Sequence, residues 1–186
     1  MNRILGVALA VGLAALSGCS TTRYSAEALR TPINAPYQLA SGDRLRVIVF
    51  GQDNLSNSFS VDGAGNIAMP LIGLVHAQGL TSAELARSIE AKLRQGFLRE
   101  PSVSVEVEAY RPFFVLGEVT TAGQYPFVNG MTVQNAVAVA GGFTPRGAQN
   151  SVDLTRIIDG RTITASVPVT FPVRPGDTIQ VRERFF

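Results

Sequence analysis

The chain uses one phrase twice, as Ser41-Gly42-Asp43-Arg44-Leu45-Arg46-Val47 and again as Pro175-Gly176-Asp177-Thr178-Ile179-Gln180-Val181. In each copy a small residue and a Gly-Asp pair precede alternating apolar and polar residues, with Leu45 and Val47, or Ile179 and Val181, on one face. Glycine supplies a positive φ or a close approach, aspartate bonds the amides of its own turn, and the alternation is that of a half-buried strand. Each copy therefore reads as a turn that launches a strand, one per module. The phrase is a structural signature and implies no ligand by itself.

Two modules are affordable at 186 residues, and 46% apolar content is enough to give each a core, which excludes global disorder. Charge is sparse, with 16 basic against 14 acidic residues and a net charge of +2. That balance provides no electrostatic footprint for nucleic acid.

The first 18 residues carry Arg3, an uncharged run from Ile4 to Leu16, and then Leu16-Ser17-Gly18-Cys19-Ser20. Thirteen apolar or small residues fall short of the ~20 that a membrane span requires, so 1–18 has the form of a signal peptide. Cys19 is the sole cysteine, and the small residues before it resemble the bacterial lipobox, in which the thiol receives a diacylglycerol before cleavage. A lone cysteine also removes any disulfide framework within the chain. Ser20, rather than Asp, follows it, which in lipoproteins resembling this one favours sorting to the outer membrane. Residues 19–36, with Pro32 and Pro36 and no apolar periodicity, read as a lipidated tether.

Beyond the tether, strands are expected over 44–50, 58–61, 66–68 and 74–77, with Asp62-Gly63 and Gly65-Asn66 marking a tight turn. Thr81 and Glu84 form a capping box for a helix whose apolar face is Leu85, Ile89 and Leu93, and Gly96 ends it. Val103, Val105 and Val107 then alternate with Ser104, Glu106 and Glu108 in a half-buried strand. A boundary falls near Arg111-Pro112. The second unit has strands at Phe113 and over Tyr125-Pro126-Phe127-Val128, a helix from Thr132 to Gly141-Gly142, a hairpin turning at Asp159-Gly160, and a last strand from the second copy of the phrase. The fold class expected is α+β, in two small modules.

Catalytic chemistry finds little footing. His76 is the only histidine and has no Ser, Cys or acidic partner at an interpretable spacing, and with one Cys and one His no metal set can be assembled. Glu106 and Glu108 share one strand face, and read either as a solvated face or as an acidic stripe that lines a polar lumen when copies surround one. The glycines of 62–70 lack the lysine and the strand-to-helix passage of a phosphate loop. No enzyme activity and no cofactor are expected.

The ordered series of phrases over 37–186, behind a lipobox, resembles the bacterial polysaccharide export outer-membrane lipoproteins of Wza type. The resemblance implies a polysaccharide export domain over 37–110 and an SLBB-like β-grasp domain over 111–186. It further implies a homo-oligomeric ring of about eight copies, closed through repeated heterologous contacts, that passes a capsular polysaccharide or exopolysaccharide as cargo. An inner-membrane polysaccharide copolymerase is the implied partner, and the location is the periplasmic face of the outer membrane, through the lipid on Cys19. Longer members continue past the last strand to an amphipathic pore helix. Here five residues, 182–186, follow that strand, so a short form is expected that relies on a separate outer-membrane pore protein. Phe185-Phe186 reads equally as a docking contact for that component or as packing. The alternative is a monomeric sugar-binding lipoprotein, with Tyr110, Phe113, Phe114, Tyr125 and Phe127 as candidate stacking residues.

Overall fold

A computed structural model describes residues 25–29, 36–158 and 160–184. The leader 1–18, Cys19, Asp159 and Phe185-Phe186 lie outside the described residues.

The first module contains β1 (Arg44–Val49), β2 (Asn57–Ser60), β3 (Asn66–Met69), β4 (Gly73–His76), α1 (Ser82–Leu93) and β5 (Val103–Ala109). β1 is the centre of an antiparallel sheet of order β2-β1-β5, and β3 and β4 form a separate hairpin. The ladder between β1 and β5 sets Leu45 opposite Val107, Val47 opposite Val105 and Val49 opposite Val103, so the apolar faces of two alternating strands coincide. α1 closes this face with Leu85, Ile89 and Leu93, all fully buried against Leu45, Val47 and Ile67. Its capping box forms as expected: Thr81 Oγ1 accepts from the Glu84 amide at 3.3 Å, and Glu84 accepts from the Thr81 amide at 2.8 Å. In the turn before β3, Asp62 Oδ1 accepts from the amides of Ala64 and Asn66 at 2.9 and 2.8 Å.

The second module contains β6 (Phe113–Gly117), β7 (Gly123–Tyr125), α2 (Val133–Val139), β8 (Ser151–Ile158), β9 (Arg161–Pro168) and β10 (Thr178–Val181). Its five strands run in the order β7-β6-β10-β8-β9, with β10 parallel to β6 and antiparallel to β8. α2 lays Val133, Ala136 and Val137 on the core of Phe113, Val115, Leu154 and Ile179. Thr132 and Asn135 make a second capping box, and at the other end Gly142 donates to Val137 and Gly141 to Ala138, the paired bonds of a Schellman stop. The molecule is thus mixed α+β, one helix to each sheet system.

Two local expectations shift. The strand expected over 125–128 is found at Gly123–Tyr125, because Pro126 has no amide to donate to a ladder. The stretch expected as a tether contains a 3₁₀ turn, Ala26–Leu29, packed beside β9, and Leu29 is fully buried in the second module's core. Its carbonyl accepts from Arg156 Nη1 at 2.7 Å, and a single apolar side chain with one backbone bond leaves no periodicity to read.

Because Leu29 fills core space, Leu29→Ala is expected to destabilise the protein by roughly 2–5 kcal/mol. A urea titration monitored by far-ultraviolet circular dichroism checks this, and a midpoint equal to that of the parent protein would show the segment to be undocked.

Candidate functional site

The repeated phrase places two fully buried carboxylates, Asp43 and Asp177, at equivalent points. In each turn the aspartate amide donates to the carbonyl three residues earlier, Ala40 or Arg174, at 3.1 Å. In each, the carboxylate folds back to accept from the amide of that same residue, Ala40 at 2.9 Å or Arg174 at 2.7 Å. The carbonyls of Asp43 and Asp177 accept from Val61 and Phe114, fastening the turns to their modules. A buried carboxylate with one donor would be costly, so each recruits more.

Asp177 takes a two-pronged bond from Arg156, Nε to Oδ1 at 2.8 Å and Nη2 to Oδ2 at 2.7 Å. Burial pushes its carboxyl above the ordinary aspartate value, against the pull of Arg156 and the Arg174 amide. Arg156 also donates to the carbonyls of Leu29 and Pro172, and its guanidinium stands 5.9 Å from the Phe171 ring centroid. Asp43 takes the Arg111 amide at 2.9 Å, with Arg111 Nη1 3.8 Å away. The Tyr37 hydroxyl donates between its two oxygens, at 2.9 and 2.7 Å, and accepts from Arg111 Nη1 at 3.0 Å. Burial, followed by the bond to Asp43, raises the Tyr37 phenol far above its ordinary range.

Arg111 therefore joins the modules. Gly42 has φ +92° and faces the Arg111 Cβ, whereas Gly176 has φ +84° and a Cβ there would lie 2.6 Å from Arg111 Nε. Both glycines of the phrase make room for the same arginine. Beside this junction runs a cleft of about 680 Å³, walled by Tyr37, Phe127, Asn129, Arg111, Arg156 and Arg174 among others. Tyr37, Tyr110 and Phe127 meet edge to face along it, with ring centroids 4.8 and 5.5 Å apart.

The residues singled out from sequence distribute differently. Glu106 lies opposite Arg46 in the ladder, and Glu108 pairs with Arg44 at 3.0 Å. A hydrogen bond with Ser58 and the nearby Arg44 hold the Glu108 carboxyl below its ordinary value. This face is mixed in charge, which corrects the acidic-stripe reading. His76 is exposed, with Nδ1 3.4 Å from Asn66 Oδ1. Among the described residues no three His, Cys, Asp or Glu side chains gather as a metal set. Of the candidate stacking aromatics, Phe113 is core, Phe114 is exposed and Tyr125 donates to the Thr121 carbonyl, whereas Phe127 lines the cleft and Tyr110 packs edge to face against it. Tyr37, Arg111, Arg156 and Arg174 were not legible as a group. Arg156 alone carried a signal, as a charge in register with Val152 and Leu154 on the buried face of β8.

The order of these modules matches two family models, polysaccharide biosynthesis/export protein over residues 31–108 and SLBB domain over 112–165. The chain belongs to the polysaccharide biosynthesis/export protein family that carries an SLBB domain. It is 36% identical over 132 residues to the exopolysaccharide production protein ExoF of Rhizobium meliloti (strain 1021), covering 64% of this chain and 31% of that protein. It is 26% identical over 159 residues to the polysialic acid transport protein KpsD of Escherichia coli, covering 84% of this chain and 27% of that one. The chain thus matches about three-tenths of the length of these relatives.

Arg156→Met is expected to cost roughly 3–5 kcal/mol, because it strands a buried carboxylate. Adding Asp177→Asn removes the stranded charge and is expected to recover part of that loss. Chemical denaturation of the two single variants and the double variant measures the coupling.

Proposed function

We propose that the protein is a component of a polysaccharide export machine, acting in the cell envelope as a passive conduit subunit. The observation that carries this reading is the succession of an export module and an SLBB module in one chain, matching relatives named for exopolysaccharide production and polysialic acid transport. In the proposal residues 37–110 and 111–186 are the working units, several copies close into a ring, and a hydrated polysaccharide passes through without bond making or breaking. An inner-membrane copolymerase supplies the chain.

Features of the surface support ring assembly. Among the described residues β5 lies at the outer edge of its sheet and pairs only with β1; beyond Val103, whose amide donates to Glu90, that edge has no neighbouring strand. Phe50, Leu71, Leu74 and Phe97 are large exposed apolar residues on the same module. A head-to-tail contact between two such different surfaces repeats around a ring.

Anchoring is proposed to occur through lipid on Cys19. No helix among the described residues is long and apolar enough to cross a membrane. Six residues lie between Cys19 and Ala26, where the chain joins the second module, and the seven Cα-to-Cα steps span at most about 25 Å when fully extended. In the proposal the lipid keeps the second module's Ala26–Leu29 contact within that reach of the bilayer surface. Two or three acyl chains anchor stably, at ~0.8 kcal/mol per buried methylene.

Deletion of the gene is expected to abolish polymer outside the cell while its synthesis continues, which immunoblotting of secreted against cell-retained polymer measures; undiminished export would overturn the conduit. Detergent-extracted protein is expected to elute as one large, discrete species. A single-subunit mass would favour the monomeric sugar binder. Cys19→Ser is expected to move the protein from the membrane to the soluble envelope fraction, and mass spectrometry of the parent protein reads the acyl chains directly.

A further inference from the structure

The cleft between the modules contains a cation that the fold does not use. Arg156 is consumed by Asp177, and Arg111 by Tyr37 and Asp43. Arg174 differs. Its backbone amide bonds Asp177, yet among the described residues no acceptor lies within hydrogen-bond distance of its guanidinium. The side chain is only half-exposed; burial, then the like charge of Arg156, lowers its basicity against the opposing pull of the Asp177 carboxylate. Both Asp177 oxygens are already engaged, by Arg156 and by the Arg174 amide. A partly desolvated guanidinium next to another cation gains most from an added anion.

The surroundings narrow the anion's type. A guanidinium fork matches a carboxylate through two parallel bonds. The Asn129 side chain supplies a neutral amide on the same wall, and Tyr37, Phe127, Pro36, Pro175 and Ile157 present apolar surface. A sugar ring has both requirements, hydroxyls at its edge and C–H groups on its faces. The volume of about 680 Å³ lies within the ~300–1,000 Å³ of small-molecule sites, and the cleft is open enough to accept part of a longer chain.

We infer that this cleft is a binding site for a carboxylate-bearing sugar unit of a glycan, with Arg174 receiving the carboxylate. The inference rests on the export reading for its choice of a glycan. In that setting the site gives a moving acidic polymer a weak, repeated hold on each subunit.

The test is calorimetric titration of the detergent-extracted full chain with tetragalacturonate, its fully methyl-esterified form, and hexaglutamate. The acid is expected to bind, more weakly as salt is raised, and the ester at least about tenfold more weakly, equivalent to about 1.4 kcal/mol. Arg174→Gln is expected to lose at least about tenfold in affinity with an unchanged melting temperature, since its guanidinium makes no hydrogen bond in the fold. Asn129→Asp, which sets a negative charge on the same wall, is expected to weaken binding similarly should Arg174→Gln fold poorly. Equal binding of the ester, of hexaglutamate or by both variants overturns the inference, as does the absence of acid binding up to about 10 mM. These outcomes leave the conduit untouched, whereas unimpaired export by the deletion strain overturns the conduit and leaves measured glycan binding standing.

Discussion

Two carboxylates buried without access to water set the terms for the whole molecule. A charged aspartate in a core persists only when donors surround it. The local turn provides one amide to each, and the remainder must come from elsewhere. For Asp43 they come from Tyr37 and from Arg111, which follows β5 at the far end of the first module's sequence. For Asp177 they come from Arg156 in the neighbouring strand, which in turn holds Leu29. The requirement to satisfy two short turns thus draws together the start of the chain, the junction and both sheets. Both glycines open onto Arg111, and so the repetition of the phrase is also the means by which the two modules share one arginine.

Shared polar contacts at Arg111 hold the two modules to one another through side chain and backbone alike. The junction is made by a backbone amide, a guanidinium and an aromatic chain, not by a loose linker. The short turn Ala26–Leu29 is secured to the second module by the burial of Leu29 and the bond from Arg156 to its carbonyl. The cleft opens beside the junction, where residues from both modules form its walls. A ligand there would therefore touch the groups that set the relative position of the two halves.

Much of the secondary structure was legible because its causes are local. Thr81 with Glu84, and Gly141 with Gly142, act within one helical turn, and the alternation of Val103, Val105 and Val107 is visible in five residues. Where expectation failed, a second rule competed. Pro126 stopped a strand that β-favouring residues proposed. Glu106 and Glu108 read from sequence either as a solvated face or as an acidic stripe, and the ladder set Arg46 and Arg44 across from them. Arg156 was readable as an anomaly, a charge at a buried position of an alternating strand, although its partner was not.

By itself the sequence determined two strand-launching turns, two capped helices, a single cysteine after an apolar N-terminal run, and the family to which the chain belongs. Each depends on residues a few places apart, or on their order, and no folding is needed to read them. The tertiary structure alone decided which donors meet the two aspartates, which module holds Ala26–Leu29, and which arginine is left to face the cleft. Those outcomes join residues 68 and 127 places apart, Asp43 with Arg111 and Leu29 with Arg156. Over such distances no local periodicity survives, and the pairing is settled only when burial forces every polar group to find a partner.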